Sequence, residues 1–375
     1  MSPEAQLHAS IEHLTPDKTS WEPARFRLKN KEDEIKWGDL CREVQPLVRV
    51  DAFLEQLKEL VTIRNPKHQL TEQETEEAAK SWLEGRSPEK EGVWVFYPWR
   101  RCVVHVLDER EFGEVRLSRN RYKIFPEEQA RLARAKVGII GLSVGQSIAL
   151  TMAQEGVGGC FRLADFDTLS LANLNRISGS VCDQGVNKAV MTARRIFEID
   201  PFASVQIFPR GFDDEMQETF LGTDEETLDL LIEECDDLYT KIRARELARD
   251  KKIPVLMDTN DRGLLDVERF DLETNRPILH GLLGDTPSDA LKNLSPKEKV
   301  PFVVSILGAQ SMSKRAATSF AEIGASITGW PQLASGTTLG AALACDTARR
   351  ILLGTFNASG RFYVDLDELI PSNGV

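Results

Sequence analysis

Apolar residues along this chain follow two rhythms, and the change between them divides it. In "DAFLEQLKELVTIRN" (51–65), Phe53, Leu54, Leu57, Leu60 and Val61 recur every three or four positions. That spacing predicts one apolar helix face, with Asp51 as its cap. A second helix is expected over 71–85, ending at Gly85, with its acidic run as a solvated face. Residues 91–109, "EGVWVFYPWRRCVVHVLDE", turn to valine and aromatic positions broken by Pro98, a strand signature. His105 inside that run is expected to be structural. The first 50 residues are polar, with Trp21 and Trp37 as isolated anchors and no clear period.

Beyond residue 120 short apolar runs alternate with helical stretches. Strands are predicted at 137–140, 160–165, 204–211, the start of 228–237, and 253–260, with helices at 146–155, 187–201 and 240–252. Strand–helix alternation with short connections predicts an α/β fold with a doubly wound, mostly parallel, Rossmann-like sheet. The expected division is an additional α+β region over 1–115 and a main domain over 116–375. Nearer the C-terminus, "PFVVSILG" (301–308) reads as a strand followed by small-residue-rich helices, and "GRFYVDLDELI" (360–370) alternates like a strand. Ser305, Lys314 and Arg315 either line an acceptor groove or form a solvated helix face.

Composition narrows the setting. The chain is 41% hydrophobic, with a formal charge of −12, which argues against broad binding to nucleic acid or an anionic membrane. Six cysteines lie far apart with no C-x-x-C pair, which points to a reducing, cytoplasmic setting rather than a zinc or disulfide framework. The first 18 residues hold no apolar leader-like run, and no stretch approaches a membrane span of about 18 apolar residues.

The candidate chemistry begins at "GIIGLSVG", where Gly138, Gly141 and Gly145 follow a predicted buried strand. Glycines there let backbone approach a phosphate or ribose at a helix N-terminus, although tight strand–helix packing also asks for them. Asp165 ends the next strand, where a carboxylate can accept both ribose hydroxyls. To that point an NAD-dependent oxidoreductase fits equally well. "DFDTLSLANLNR" then adds Asp167, Asn173, Asn175 and Arg176, and "GVNK" adds Lys188 at a predicted helix start. An arginine fork and a lysine point charge beside a ribose-binding acid suit a triphosphate. "EECDD" (233–237) falls at the carboxyl end of a later strand, which makes Asp237 a candidate ligand for Mg²⁺. Glu233, Glu234 and Asp236 read as flanking or helix-capping charges.

Taken together, "GLSVG", "DFD…NLNR", "GVNK", "CDD" and "PVLMDT" make residues from about 120 to 350 resemble the ThiF, MoeB and ubiquitin-activating-enzyme superfamily. The resemblance implies ATP-dependent adenylation of a carboxylate. Asp165 would hold the ribose, with Asn173, Arg176 and Lys188 on the phosphates and Asp237 linked to Mg·ATP. "SRNRYKI" resembles the family segment that sends an arginine, here Arg121, into a neighbouring subunit's site, which implies a homodimer. The implied acceptor is a small acid or the C-terminus of a peptide, ubiquitin-like or sulfur-carrier protein.

An ionised carboxylate needs no general base to attack an α-phosphate; it needs alignment and a stabilised leaving pyrophosphate. Three departures from the family pattern bear on this. The glycine turn carries Ser143 and Val144 and is one residue short, the paired C-x-x-C motifs are missing, and residues 260–340 hold no cysteine. Adenylation is therefore expected without a thioester step. The alternatives are a non-catalytic nucleotide-binding scaffold and an NAD(P)-dependent oxidoreductase.

Overall fold

A computed structural model describes residues 17–308 and 311–371; the expectation that the first 18 residues hold no leader-like apolar run falls almost wholly outside them. The chain forms two compact units, 1–118 and 119–375.

In the first unit the order is β1 (Ala24–Phe26), α1 (Lys31–Glu43), β2 (Val48–Asp51), α2 (Phe53–Arg64), α3 (Glu72–Leu83), β3 (Val93–Tyr97), β4 (Cys102–Val106) and α4 (Glu109–Arg116). The sheet order is β1-β3-β4-β2. Phe53, Leu57, Leu60 and Val61 of α2 pack with Ala79 and Leu83 of α3, as their spacing predicts. Two expectations are corrected. Asp51 ends β2 one residue before the cap position of α2, which Ala52 fills without a side-chain bond; Asp51 Oδ1 accepts from His105 Nδ1 at 2.9 Å and, at 3.4 Å, from the Phe53 amide at the helix start. The polar stretch before residue 50 holds α1, which buries none of its residues fully and so shows no apolar period; Asn30 caps it, and Trp37 packs against Phe26 and Trp94. His105 is structural, stacked on Phe53 and Trp94 with its Nε2 2.8 Å from the Glu91 carbonyl oxygen.

The second unit carries α5 (Pro126–Leu132), β5 (Lys136–Ile140), α6 (Gly145–Glu155), β6 (Cys160–Ala164), α7 (Lys188–Ile199), β7 (Ser204–Phe208), α8 (Gln217–Leu221), β8 (Leu230–Glu233), α9 (Leu238–Asp250) and β9 (Val255–Asp258). It continues with β10 (Leu264–Glu268), α10 (Pro296–Leu307), α11 (Lys314–Glu322), α12 (Ala334–Leu352), β11 (Gly360–Tyr363) and α13 (Leu366–Leu369). The strand order is β11-β10-β9-β8-β5-β6-β7. Strands β7, β6, β5, β8 and β9 pair in parallel, and β10 and β11 add an antiparallel edge. This is the α/β, mostly parallel, Rossmann-like sheet that the alternation predicts. Strand β5 is flanked by β6 on one side and β8 on the other, so the chain reverses direction across the sheet there. Such a switch point opens a crevice at the carboxyl ends of the strands.

The segment 301–308 is not a strand. It lies mostly in α10, which starts at a capping box between Ser295 and Glu298 with Pro296 in the first turn. Among the described residues no helix is long and apolar enough to cross a membrane.

Candidate functional site

At the switch point lies a cleft of about 380 Å³, walled by Gly141 and Ser143 after β5, Asp165, Phe166 and Asp167 after β6, and Lys188 at the start of α7. Residues 210–214 after β7, and Cys235, Asp236, Tyr239 and Thr240 around the start of α9, complete the wall. Four strand-to-helix connections thus meet at one end of one sheet.

Asp165 is the buried anchor, 8% exposed. Its Oδ2 accepts from the Leu142 amide at 2.7 Å and its Oδ1 from the Asp167 amide at 2.8 Å. Burial raises its proton affinity above the ordinary carboxylate range, while Lys188 and the two amides pull the other way. Lys188 Nζ lies 2.8 Å from Asp167 Oδ2 and 4.0 Å from Asp165 Oδ2. Asn187 caps α7 and donates from Nδ2 to the Asp165 carbonyl oxygen at 3.0 Å, which ties the lysine's helix to the acid's strand.

Arg176 stands behind the wall. Its Nε donates to Ser143 Oγ at 3.1 Å and its guanidinium to Asn175 Oδ1 at 2.9 Å. Partial burial lowers its pKa, offset by the nearby Asp236 carboxylate. Asn175 in turn donates to the Gln332 carbonyl oxygen at 2.7 Å, so it holds the arginine rather than facing the cleft.

Other expected residues fall elsewhere. Asn173 Oδ1 accepts from the Ser170 amide at 3.0 Å and shapes its own turn. Gly145 begins α6, where an added Cβ would come within 2.8 Å of Ile139 Cγ2, so packing requires it. Gly141 does line the cleft, with φ +83°, and a Cβ there would meet the Glu234 carbonyl oxygen at 2.6 Å. Arg121 lies on an exposed segment bridged to Ile124, away from the wall.

Of the adjacent acids, Asp237 caps a helix and Asp236, read as a flanking charge, lines the cleft. Asp237 is the cap of α9: its Oδ2 accepts from the Thr240 amide at 3.0 Å and hydroxyl at 3.1 Å, and its Oδ1 lies 3.3 Å from Lys299 Nζ. Burial pushes its pKa up, but these hydrogen bonds outweigh that and hold it below the usual carboxylate range. Asp236 is exposed and lines the cleft. Sequence reasoning also missed Ser143, Phe166 and Tyr239. The exposed phenyl directly after the ribose-type acid was the available signal for Phe166, which is 68% exposed at the lip.

A half-buried thiol, Cys235, completes the wall, and burial beside Glu233 pushes its pKa up to about 12. Among the described residues no cluster of three or more His, Cys, Asp or Glu side chains is arranged to hold a metal unaided. Asp236, which lines the cleft, suits instead a cation that takes most of its ligands from phosphate and water, as Mg²⁺ does.

The sequence profile of the ThiF family matches residues 117–362. An uncharacterized protein of Mycobacterium tuberculosis is 48% identical over 289 residues, which are 75% of this chain and 40% of that protein, so the match spans less than half of the relative. The tRNA threonylcarbamoyladenosine dehydratase of Haemophilus influenzae is 26% identical over 184 residues, 46% of this chain and 68% of its own. The crystal structure of the E. coli tRNA N6-threonylcarbamoyladenosine dehydratase TcdA in complex with ATP overlays 64% of this chain and 95% of its own, at 17% identity and a TM-score of 0.47.

Proposed function

The chain belongs to the ThiF family of ATP-dependent adenylating enzymes, and from that premise we propose that it adenylates a carboxylate and releases pyrophosphate. One observation carries the reading: Asp165, Asp167 and Lys188 converge within 4.0 Å at the carboxyl ends of the parallel strands, around a cleft with Arg176 at its back. The Asp165 carboxylate takes the ribose hydroxyls, and Lys188 turns from Asp167 toward the phosphates. Arg176, held by Ser143 and Asn175, adds a fixed positive charge. Asp236 would hold Mg²⁺, which when bound neutralises phosphate charge.

A carboxylate oxygen of the acceptor attacks the α-phosphorus, and the bond from that phosphorus to the bridging oxygen breaks. Pyrophosphate leaves with the electron pair, and the acyl-adenylate remains. No side chain needs to accept a proton in this step. Stabilising the charge that builds on the leaving group is the protein's task, and Lys188 and Arg176 supply it electrostatically. The Cys235 thiol, kept protonated at neutral pH, supports a reaction that stops short of a thioester. The acceptor class comprises small acids and the C-termini of peptides or ubiquitin-like proteins. A homodimer would let Arg121 reach a neighbouring site.

The test is nucleotide binding to the purified chain with Mg²⁺, ATP against NAD(P)⁺, followed by ATP–pyrophosphate exchange over a panel of carboxylates. ATP-selective binding that Arg176→Ala weakens is expected. Binding of NAD(P)⁺ that ignores Arg176 would restore the oxidoreductase reading.

A further inference from the structure

A second cavity opens on the same edge of the sheet, one strand beyond the cleft. Strand β9 runs parallel to β8, and the turn at its carboxyl end, 260–263, forms one side of a space of about 770 Å³, against about 380 Å³ for the cleft. The starts of α11 and α12 and the segment 326–333 between them form most of the rest. Ser143, Arg176, Asn175 and Gln332 make a chain of hydrogen bonds from the wall of the cleft to the wall of this second cavity. A nucleotide in the cleft therefore leaves the neighbouring space for its reaction partner.

Its lining suits an apolar ligand that donates hydrogen bonds. Ile327, Trp330, Leu339 and Val364 supply apolar wall. Lys314, Arg315, Glu322 and Asp367 also line it, all exposed and of both signs, so charge does not choose the ligand. Ser305 is elsewhere, its hydroxyl on the Pro301 carbonyl oxygen at 2.9 Å. Two oxygens do the choosing. Asn260 Oδ1 and Gln332 Oε1 are buried side-chain acceptors of lining residues, and neither has a hydrogen-bond partner among the described residues. A buried acceptor left unpaired is costly, and an N–H from a ligand relieves it. Both residues are held in place. Asn260 sits at φ +55° in a turn pinned by Arg262, whose Nη1 donates to the Ser311 carbonyl oxygen at 3.0 Å and whose Nε lies 2.5 Å from Asp365 Oδ2. Gly336 leaves room for the Asn260 amide, since a Cβ there would come within 3.0 Å of Oδ1. Gln332 is anchored through its own carbonyl oxygen, which accepts from Asn175 at 2.7 Å.

We propose that this second cavity holds the acceptor and selects one with main-chain N–H groups beside the reacting carboxylate, a peptide end with an apolar side chain rather than a small acid. Asn260 and Gln332 are the specificity-determining residues. An extended peptide offers one N–H per residue, whereas an aliphatic acid offers none and leaves both oxygens unpaired. A site built around hydrogen bonds rejects a ligand that lacks them more strongly than an apolar pocket rejects a change of size. The inference rests on the adenylation reading and names the substrate class of that reaction.

The experiment uses the full chain with Mg²⁺ and α,β-methylene-ATP, and isothermal titration calorimetry with three probes. These are N-acetyl-Ala-Leu-Ala, its depsipeptide counterpart with esters in place of the two amides nearest the carboxylate, and hexanoate. The peptide and the depsipeptide share shape and charge and differ only in N–H groups. The peptide is expected to bind about tenfold more tightly than the depsipeptide, and hexanoate more weakly still. Gln332→Met and Asn260→Gly, the latter at ease with a positive φ, should each shrink the preference for peptide over depsipeptide, and the double variant should abolish it. Gln332→Glu, which keeps an acceptor oxygen, should retain it. Circular dichroism confirms that each variant is folded. Equal binding of peptide and depsipeptide, hexanoate binding as tightly as the peptide, or no peptide binding at about 10 mM overturns the proposal and leaves adenylation standing, provided that the unmodified chain binds ATP. If the unmodified chain binds no ATP, the adenylation reading falls, and this inference with it.

Discussion

Two charged clusters share the second unit, and only one of them is open. Around the cleft, Asp165, Asp167, Lys188 and Asp236 line about 380 Å³ of empty space, with Arg176 behind the wall on Ser143. A few residues away, Glu233, Lys241, Arg245 and Glu268 form a network with no space at all. Arg245 is 0% exposed, its Nε 2.6 Å from Glu268 Oε2 and its other arm on Glu233 Oε2, which Lys241 also contacts at 2.7 Å. Glu268 Oε1 accepts the Leu279 amide at 2.6 Å, and His280 Nε2 lies 2.9 Å from Asp266 at the network's edge. By charge density or displaced proton affinity the buried network is the more conspicuous of the two. The difference teaches that perturbed ionisation marks a site only where a ligand can reach it; elsewhere it marks a paired interior.

Breaking each cluster separates the two roles. Arg245→Ala should give the largest effect of any single change here. It strands Glu233 and Glu268 without their common partner in the core, and such losses cost about 3–5 kcal/mol of folding free energy. A urea titration should register that loss. An unchanged midpoint would mean that the network is not the keystone its burial implies.

Arg176→Ala is the counterpart. It should slow pyrophosphate exchange by about 10²–10³, the usual consequence of losing one preorganised charge stabiliser. Its unfolding midpoint should move little, because the arginine is only partly buried and bonds to Ser143 and Asn175 rather than to a buried acid. A large stability loss without a rate effect would place Arg176 with the structural cluster.

How far these clusters could be read from the chain follows from the same distinction. Strands β5, β6, β8 and β9 are short apolar runs ahead of polar punctuation, so the parallel sheet and the crevice at its switch point were legible. So were Gly141, Asp165, Asp167 and Lys188, because each falls directly at a strand or helix end. Strand β10 was not, because Asp266 and Glu268 interrupt its apolar pattern, and both are buried by pairing rather than by hydrophobicity. Helix α10 was misread because its start signal, Ser295 with Glu298, precedes a valine- and isoleucine-rich run that imitates a strand. Asp236 was read as a flanking charge because adjacent acids at a strand end look alike in sequence; Asp237 makes the cap of α9, which leaves Asp236 to line the cleft.

A third comparison uses pH. Asp258, 5% exposed at the end of β9, is pushed up to about 7 by burial, with the Asn260 and Thr259 amides opposing. It titrates together with Glu234, whose Oε1 accepts the Asp258 amide at 2.8 Å and whose own proton affinity burial and the Asp258 charge raise. Gly340 leaves room for its carboxyl, where a Cβ would sit 2.0 Å from Oδ2. The folded chain therefore holds a proton that the unfolded chain releases near pH 4. The stabilisation is complete below that range and is lost as pH rises through about 7. One such proton gives a slope of at most about 1.4 kcal/mol per pH unit. Unfolding titrations between pH 4 and 7 should show a shallower slope in Asp258→Asn, whose amide imitates the protonated acid; an identical slope would assign the proton to Glu234.

The smallest expected effect lies at the boundary between the clusters. Cys235 donates its amide to Glu233 Oε1 at 2.7 Å, on the network's side, while its side chain lines the cleft. If the cleft governed it, the thiol would be a nucleophile and its loss would stop turnover. Burial and the Glu233 carboxylate instead hold it protonated, so the network governs. Cys235→Ser should leave acceptor-dependent ATP turnover within about twofold, and iodoacetamide at pH 8 should alkylate the exposed Cys182 well ahead of Cys235, as read by peptide mass spectrometry. Rapid labelling of Cys235, protected by ATP, would move that residue into the open cluster and with it the case for a covalent step after adenylation.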